Sequence, residues 1–175
     1  MKAVANASPL IYLAKVDALY LLYSLYGEII IPKEVYKEAV VRGLEKGFED
    51  AAKVEEAVRK GKLTIKEAPA SIVENILNVA SGLDRGEAEV LALALHIGRC
   101  HVIVDDKLAR QVARSLGLKP HGTLYLIASA ARRQIIPVDE ALKLLDDLVQ
   151  SGFRISAKLY LNARRTLEVL KSKRD

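Results

Sequence analysis

The sequence predicts an α/β fold, a three-layer α/β/α sandwich around a central parallel sheet with short strands. Three short apolar runs carry this prediction, because each is bounded by turn residues and followed by a helical pattern: Ala3–Ala5, Glu28–Ile31 and His101–Val104. Buried strands that alternate with helices are typical of parallel pairing with helices on both faces. At 175 residues the chain is expected to form a single domain spanning 1–175.

The first strand is expected to stop at Asn6, with an apolar helix beginning at Pro9. Ser8 is predicted to cap this helix through its hydroxyl, and Pro9 suits the first helical position, where a missing N–H costs nothing. Polar side chains therefore follow a strand at its carboxyl end. In open α/β sheets, ligands bind at that edge.

The middle of the chain continues the alternation of strands and helices, with glycine and proline marking the boundaries. Gly27 ends the first helix, and Pro32 closes the second strand and opens the next helix. The predicted elements are, in order, a helix at Pro9–Tyr26, a helix at Lys33–Val41, a loop at Gly43–Asp50, a helix at Ala51–Lys60, an edge strand at Lys62–Lys66 and a helix at Ser71–Ala80.

The second half begins with Asp84 and Glu87, which match a capping box and predict an apolar helix over Ala88–Ile97. The third buried strand is expected to stop at Asp105. The further predicted elements are a helix at Lys107–Leu116, a fourth short strand at Leu118–Lys119, a helix from Gly122-Thr123 to Arg133, and helices at Val138–Gln150 and Ser156–Lys171. The last two form a C-terminal helical extension, 138–175, which packs on one side of the sandwich or across a dimer.

Composition and charge narrow the function classes. The net charge of +5 is concentrated in the last third of the chain and fits either a phosphate-backbone partner or solvated helix faces. No apolar run reaches the roughly 18–20 residues of a membrane span, so no membrane association is expected. A single cysteine, Cys100, excludes an internal disulfide and fits a cytoplasmic location. Two Phe and no Trp argue against base stacking as the main mode of nucleic-acid binding.

Acidic side chains occupy corresponding places in the predicted sheet. Asp105 and Asp106 end a strand, as Asn6 does, while Glu87 opens the helix that leads into that strand and Glu38 lies on the helix after the second strand. These positions can approach one edge of a parallel sheet. Clustered carboxylates repel unless they share a cation, and oxygen ligands favour Mg²⁺ or Mn²⁺. Such a site can activate water and stabilise an in-line phosphoryl displacement.

Each of these acids also has a structural alternative, and spacing alone leaves the choice open. Glu38 fits a solvated helix residue, Glu87 a cap that complements the helix dipole, and Asp106 the N-cap of the following helix. Histidines lack metal-ligand spacing and are expected to be structural: His96, His101 and His121. Tyrosines at helical spacing are expected to form a packing or dimer stripe: Tyr20, Tyr23 and Tyr26.

Five segments together resemble a PIN-domain protein over nearly the full chain, and their order and spacing are jointly specific. The nearest resemblance is to a prokaryotic branch with an S-N-T-S-P-L-I type opening and a G-F-R-I-S segment near the end, here Gly152–Ser156. The segments are Val4–Ile11, Ile31–Glu38, Leu83–Glu89, Val104–Arg110 and Gly122–Leu124.

The resemblance implies a Mg²⁺- or Mn²⁺-dependent endoribonuclease, often the toxin of a VapBC-type toxin–antitoxin pair. It implies RNA as substrate, a small antitoxin protein as partner and a homodimer. By position in the matching segments, the first three acidic residues of the family's metal site correspond to Asn6, Glu38 and Glu87. The fourth falls on Asp106, favoured by register, or on the adjacent Asp105.

Secondary positions follow from the same resemblance and from charge. Ser8 matches the small hydroxyl residue beside the first acid, while Glu89 is a weaker candidate because it faces elsewhere on its helix. Cations near the acids fit either phosphate positioning or neutralisation of carboxylates: Arg85, Lys107 and Arg110. Thr123 fits either a cap or a site residue.

The departure from the family pattern is Asn6, which keeps a carbonyl oxygen but lacks the charge of the first acid. An amide oxygen can coordinate a hard cation, so the geometry of the site can survive. One fewer negative charge weakens metal binding. The alternative function is therefore a catalytically weak PIN module that binds RNA or a partner protein.

Overall fold

The computed structural model describes residues 1–173, and its strands form a five-stranded parallel sheet in the order β3-β2-β1-β4-β5. This confirms the predicted α/β/α fold with a short-stranded parallel sheet. The strands are β1 (Lys2–Ala5), β2 (Glu28–Pro32), β3 (Leu63–Lys66), β4 (Cys100–Ile103) and β5 (Lys119–His121).

The helices follow the strands in the predicted alternation. The helices are α1 (Ala7–Lys15), α2 (Tyr20–Tyr26), α3 (Lys33–Tyr36), α4 (Arg42–Glu45), α5 (Glu49–Arg59), α6 (Ala70–Val79), α7 (Arg85–Ile97), α8 (Lys107–Ser115), α9 (Thr123–Arg132), α10 (Val138–Gln150) and α11 (Ala157–Ser172). Within residues 1–173, no helix combines the length and apolar character needed to cross a membrane.

The central strand, β1, sets the register of the sheet. Val4 pairs with Ile30 of β2, and Ala5 pairs with Ile103 of β4. The backbone N–H of Asn6 then donates to the Ile103 carbonyl oxygen at 2.9 Å, which extends the β1–β4 ladder by one residue. Because parallel strands share a direction, the residues that follow β1 and β4 emerge side by side at one edge of the sheet.

The three middle strands are buried except for Lys2, Glu28 and His101. The side chains of Ile29–Ile31, Val4 and Val102–Val104 are completely inaccessible to solvent. Near-continuous aliphatic strands are what a parallel sheet covered on both faces requires, and this explains why these runs were recognisable in the sequence. The buried layer holds the carboxyl edge of the sheet in place.

The first predicted helix differs from expectation. The apolar stretch from Pro9 to Tyr26 forms two helices, because Asp17 adopts a left-handed conformation with φ of 56° between them. The prediction that Ser8 caps the helix is wrong. The N-cap position is Asn6, and the Ser8 hydroxyl instead donates to Asp105 Oδ2 at 3.4 Å. Pro9 is compatible with the first turn of α1. The N–H groups of a first turn make no intrahelical hydrogen bonds, so the N–H that proline lacks costs none.

The helix predicted over Lys33–Val41 is irregular. A π-turn over Lys37–Val41 separates α3 from α4, and Glu38 lies within it. The segment predicted as a loop is helical at both ends, because α4 reaches Glu45 and α5 starts at Glu49. Single π-turns occur frequently at functional sites. The extra residue in the turn changes the direction in which the neighbouring side chains point.

The C-terminal helices share the core with the rest of the chain. Leu148 of α10 and Leu167 of α11 are buried in it. Asp146 accepts hydrogen bonds from Tyr160 at 2.6 Å and from Arg164 at 3.3 Å, and so joins α10 to α11. The last two residues of the predicted 138–175 extension, including Arg174, lie outside the described residues.

Gly43 provides the close contact between α4 and α5 that holds the π-turn in position. A Cβ atom built on Gly43 would lie 2.5 Å from Cβ of Ala51. We expect Gly43→Ala to lower the free energy of unfolding by about 1–3 kcal/mol through overpacking. Adding Ala51→Gly restores the space, so the double variant should recover stability in urea unfolding. If helix propensity alone decided the outcome, adding Ala51→Gly would lower the free energy of unfolding by about a further 1 kcal/mol. Such a further loss would contradict the packing explanation.

Candidate functional site

A cleft of about 710 Å³ opens at the carboxyl edge of the sheet. Its walls come from the ends of β1, β4 and β5, the first turns of α7, α8 and α9, the π-turn and the segment before α11. All of the predicted catalytic residues line this cleft: Asn6, Glu38, Glu87, Asp105 and Asp106. The predicted substrate-binding residues Ser8, Lys107 and Arg110 line it as well.

Asn6 lies at the base of the cleft with an unpaired polar atom. Its side chain is 8% exposed, and Oδ1 has no hydrogen-bond donor among the described residues. An unsatisfied buried acceptor costs about 1–3 kcal/mol, so native proteins seldom retain one without an ordered water, ion or ligand as its partner.

A small open space beside Gly86 of α7 brings three oxygens together. A Cβ atom built on Gly86 would lie 3.3 Å from Asp84 Oδ1 and 3.7 Å from both Asn6 Oδ1 and Glu38 Oε2. These atoms come from the end of β1, the π-turn and the N-cap of α7. Because residue 86 has no side chain, this space stays open.

Asp84 and Glu87 form the predicted capping box. The Glu87 N–H donates to Asp84 Oδ1 at 2.7 Å, and the Asp84 N–H donates to Glu87 Oε2 at 3.0 Å. Burial raises the pKa of Glu87 to about 7, with the Asp84, Asp106 and Glu38 charges adding to the rise and the Asp84 N–H opposing it. Burial and the Asp84 charge also raise the pKa of Glu38. The acids therefore crowd one another in a partly desolvated space.

Asp105 joins three parts of the fold. Its Oδ1 accepts from the Thr123 N–H at 2.7 Å, and its Oδ2 accepts from the Thr123 hydroxyl at 2.7 Å and from Ser8. Burial raises the pKa of Asp105, while these bonds and the positive charge of Arg110 oppose the rise. Both carboxylate oxygens are thus engaged, and Thr123 is fully buried at the start of α9.

Asp106 is exposed and caps α8, since its Oδ1 accepts from the Ala109 N–H at 2.8 Å. The N-cap interpretation of this residue is therefore confirmed, while its side chain also faces the cleft.

Two charged residues near the acids point away from the cleft. Arg85 pairs with Glu74 at 3.3 Å and with Glu89 at 3.4 Å. Glu89 also accepts from the Glu34 N–H at 3.2 Å, so it belongs to a separate network that connects α7 with α3. Neither side chain lines the cleft.

Several lining residues were not predicted from the sequence to belong to the site. Asp84 was recognised only as a cap, and its proximity to Asn6 depends on the missing side chain of Gly86. Arg154 lies in the G-F-R-I-S segment, which contributed to the resemblance to PIN-domain proteins but was not predicted to line the site. The other additional lining residues include Tyr12, Arg114, His121, Tyr125 and Phe153.

The donor set determines whether a divalent cation fits. In the part of the chain that the structure describes, no three His, Cys, Asp or Glu side chains form a ready metal cluster. Both carboxylate oxygens of Asp105 accept hydrogen bonds, whereas Asp84, Glu87 and Asp106 each accept a backbone N–H through one oxygen. What fits a hard cation is the buried Asn6 amide oxygen beside the Glu38 and Asp84 carboxylates, since Mg²⁺ and similar ions take oxygen ligands of these two kinds.

The raised pKa of Glu87 predicts a pH dependence of stability in EDTA. The folded state holds this proton more tightly than the unfolded state, whose value is near 4.5. The resulting stabilisation is complete below about pH 4.5 and is lost as pH rises through about 7. Glu87→Gln mimics the protonated acid and keeps the acceptor for the Asp84 N–H. Its melting temperature should match wild type near pH 4.5 and exceed it by about 2–4 °C above pH 8. A variant less stable than wild type above pH 8 would contradict this.

Comparison with known proteins agrees with this architecture. A family model described as a PIN domain matches residues 2–169, which is nearly the whole chain. No curated protein and no solved structure shows significant similarity to the sequence. PIN domains are in general nuclease-type, RNA-binding and dependent on divalent metals. With the parallel sheet and the acidic cleft at its carboxyl edge, this match establishes that the chain belongs to the DUF3368 family of PIN domains.

Proposed function

We propose that the protein is a Mg²⁺- or Mn²⁺-dependent endoribonuclease that cleaves RNA phosphodiesters in the acidic cleft. The observation that carries this proposal is the buried, unpaired Oδ1 of Asn6, which shares one small space with the carboxylates of Glu38 and Asp84. A hard divalent cation is the group for which such a set of oxygens is suited.

Asp84 offsets the charge that Asn6 lacks. Its Oδ1 lies on the same open space as Asn6 Oδ1, so a carboxylate is present where the amide contributes none. Burial raises the pKa of Glu38, and the negative charge of Asp84 on the same space adds to the rise. A cation would therefore relieve an existing electrostatic strain.

The other residues of the cleft have separate proposed roles in RNA hydrolysis. A Mg²⁺ or Mn²⁺ ion held by Asn6, Glu38 and Asp84 would supply Lewis acidity at the scissile phosphate. The carboxyl group of Glu87 lines the cleft beside these residues, where it is placed to accept a proton. Asp105 holds Thr123 and Ser8 in place, and Lys107 lies where it can contact the RNA phosphate.

The proposed partners are RNA, a small antitoxin protein and a second copy of this chain, and the proposed location is the cytoplasm. The resemblance to prokaryotic PIN toxins supports the antitoxin and the homodimer. Exposed apolar side chains on and next to α4 offer a contact surface for a protein: Val41, Leu44 and Phe48.

Removing two acids tests the catalytic assignment. Glu38→Gln combined with Asp106→Asn keeps side-chain size and the N-cap acceptor of α8. We expect this double variant to lose at least about 100-fold in the rate of Mn²⁺-dependent cleavage of an end-labelled single-stranded RNA. The matched control is Asp139→Asn with Glu168→Gln, which removes the same charge from exposed positions on α10 and α11 outside the cleft.

Two results would count against the catalytic assignment. Unchanged cleavage by the Glu38→Gln, Asp106→Asn variant would refute it. A wild-type protein that binds RNA but never cleaves it with either metal would favour the alternative, a catalytically weak PIN module. The uncharged Asn6 is the feature that favours this alternative.

Filling the space beside Gly86 tests the cation site separately from activity. Gly86→Ala places a methyl group between the three oxygens, and Ala is a better helix former than Gly, so the variant should fold. We expect Mn²⁺ binding by calorimetry to be lost in Gly86→Ala and weakened at least about tenfold in Asp84→Asn, which keeps the cap but removes the charge. Wild-type affinity in both variants would refute the site.

A further inference from the structure

The cleft has a second wall that the acidic residues do not occupy. His121 at the end of β5 and Tyr125 in the first turn of α9 both line it, and their rings stack at a centroid distance of 4.0 Å and an angle of 15°. Tyr125 is 39% exposed, although it is a large aromatic residue. Both rings therefore line the same cleft as the acids, and Tyr125 also lines a second pocket between α9 and α11.

This aromatic wall is held in place from behind. His101 Nδ1 and His121 Nε2 are 2.9 Å apart and share a hydrogen bond, and His101 in turn packs against the buried ring of Tyr26. Burial lowers the pKa of His121 to about 4, so its ring is neutral at physiological pH. Because the His121 ring is fixed, Tyr125 loses little further freedom when a planar ligand binds.

Positive charge without a protein partner lies along the same cleft. Lys107, Arg114 and Arg154 line it, are exposed, and make no ion pair or side-chain hydrogen bond with any residue in 1–173. Arg85, by contrast, is paired with two glutamates outside the cleft. Unpaired cations beside an aromatic surface match the two parts of a nucleotide, its phosphate and its base.

We infer that Tyr125 stacks on one unpaired base of the bound RNA while Lys107, Arg114 and Arg154 hold neighbouring phosphates. This inference rests on the proposed ribonuclease function and adds a base-binding position to it. In an A-form duplex the faces of each base are covered by adjacent base pairs, and recognition by stacking requires unstacked bases. The sequence-based expectation that stacking is not the main mode of binding rested on the rarity of Phe and Trp, whereas one exposed Tyr and one His suffice for one base.

Binding of RNA in EDTA tests the inference without cleavage. The probe is a short single-stranded RNA with 2-aminopurine at its centre, compared with the same strand in a duplex. We expect Tyr125→Leu, which keeps apolar bulk but removes the ring, to weaken single-strand binding roughly tenfold and to abolish the stacking-dependent quenching of 2-aminopurine. Tyr125→Phe should bind like wild type. Tyr20→Ala, at a tyrosine of 37% exposure outside the cleft, is the matched control and should also leave binding unchanged.

The salt dependence of binding separates stacking from charge. Arg154→Gln should reduce the slope of log affinity against log salt concentration by about 0.7, the value for one phosphate contact on a single strand, while Tyr125→Leu should leave the slope unchanged. Tighter binding of the duplex than of the single strand, or wild-type affinity and quenching in Tyr125→Leu, would overturn the inference.

Failure of the inference and failure of the proposed function give different results. RNA cleavage that persists with wild-type binding in Tyr125→Leu would refute the stacking site alone. Tyr125-dependent binding by a wild-type protein that does not cleave RNA would refute the nuclease and support the base-binding site.

Discussion

The hydrogen bond from the Asn6 backbone N–H to the Ile103 carbonyl oxygen fixes the geometry on which the cleft depends. It extends the β1–β4 ladder one residue beyond the last paired residues, Ala5 and Ile103, and brings Asn6 beside the end of β4. From there Asp105 reaches Thr123 and Ser8, so the first turns of α9 and α1 meet the same point. A shift of one residue in this register would turn the Asn6 side chain to the other face of the sheet.

The acids of the cleft serve the fold and the site at once. Asp84 and Glu87 satisfy the first N–H groups of α7, Asp106 does so for α8, and Asp105 for α9. Each carboxylate is consequently held by a bond to the backbone of its own or a neighbouring helix. Such support orients a reactive group more precisely than a free side chain could, and it removes the ordering cost at the moment of binding.

The sequence predicts the fold well because buried parallel strands and their glycine and proline boundaries are local signals. It also predicts that the acids gather at one edge, since they follow strands or begin helices. It could not predict the hydroxyl of Ser8 turning to Asp105, which depends on how closely α1 follows β1. Nor could it predict that Asp84 shares a space with Asn6, because that proximity arises from the packing of α7 against the sheet. The aromatic wall was missed for a similar reason, since only the β4–β5 pairing brings His121 to His101.

The π-turn over Lys37–Val41 has a consequence for how this chain can change length. A π-turn contains one residue more than the α-helical turn it replaces, so losing a residue there would leave a continuous helix that is easier to form. Losing that residue would rotate the part of the helix before the turn by about 100° about the helix axis relative to the part after it. Glu38 would then swing away from the open space beside Gly86 although the fold survived. The number of residues in this helix thus determines whether Glu38 faces the cleft, and a variant one residue shorter would keep the fold while turning this carboxylate away.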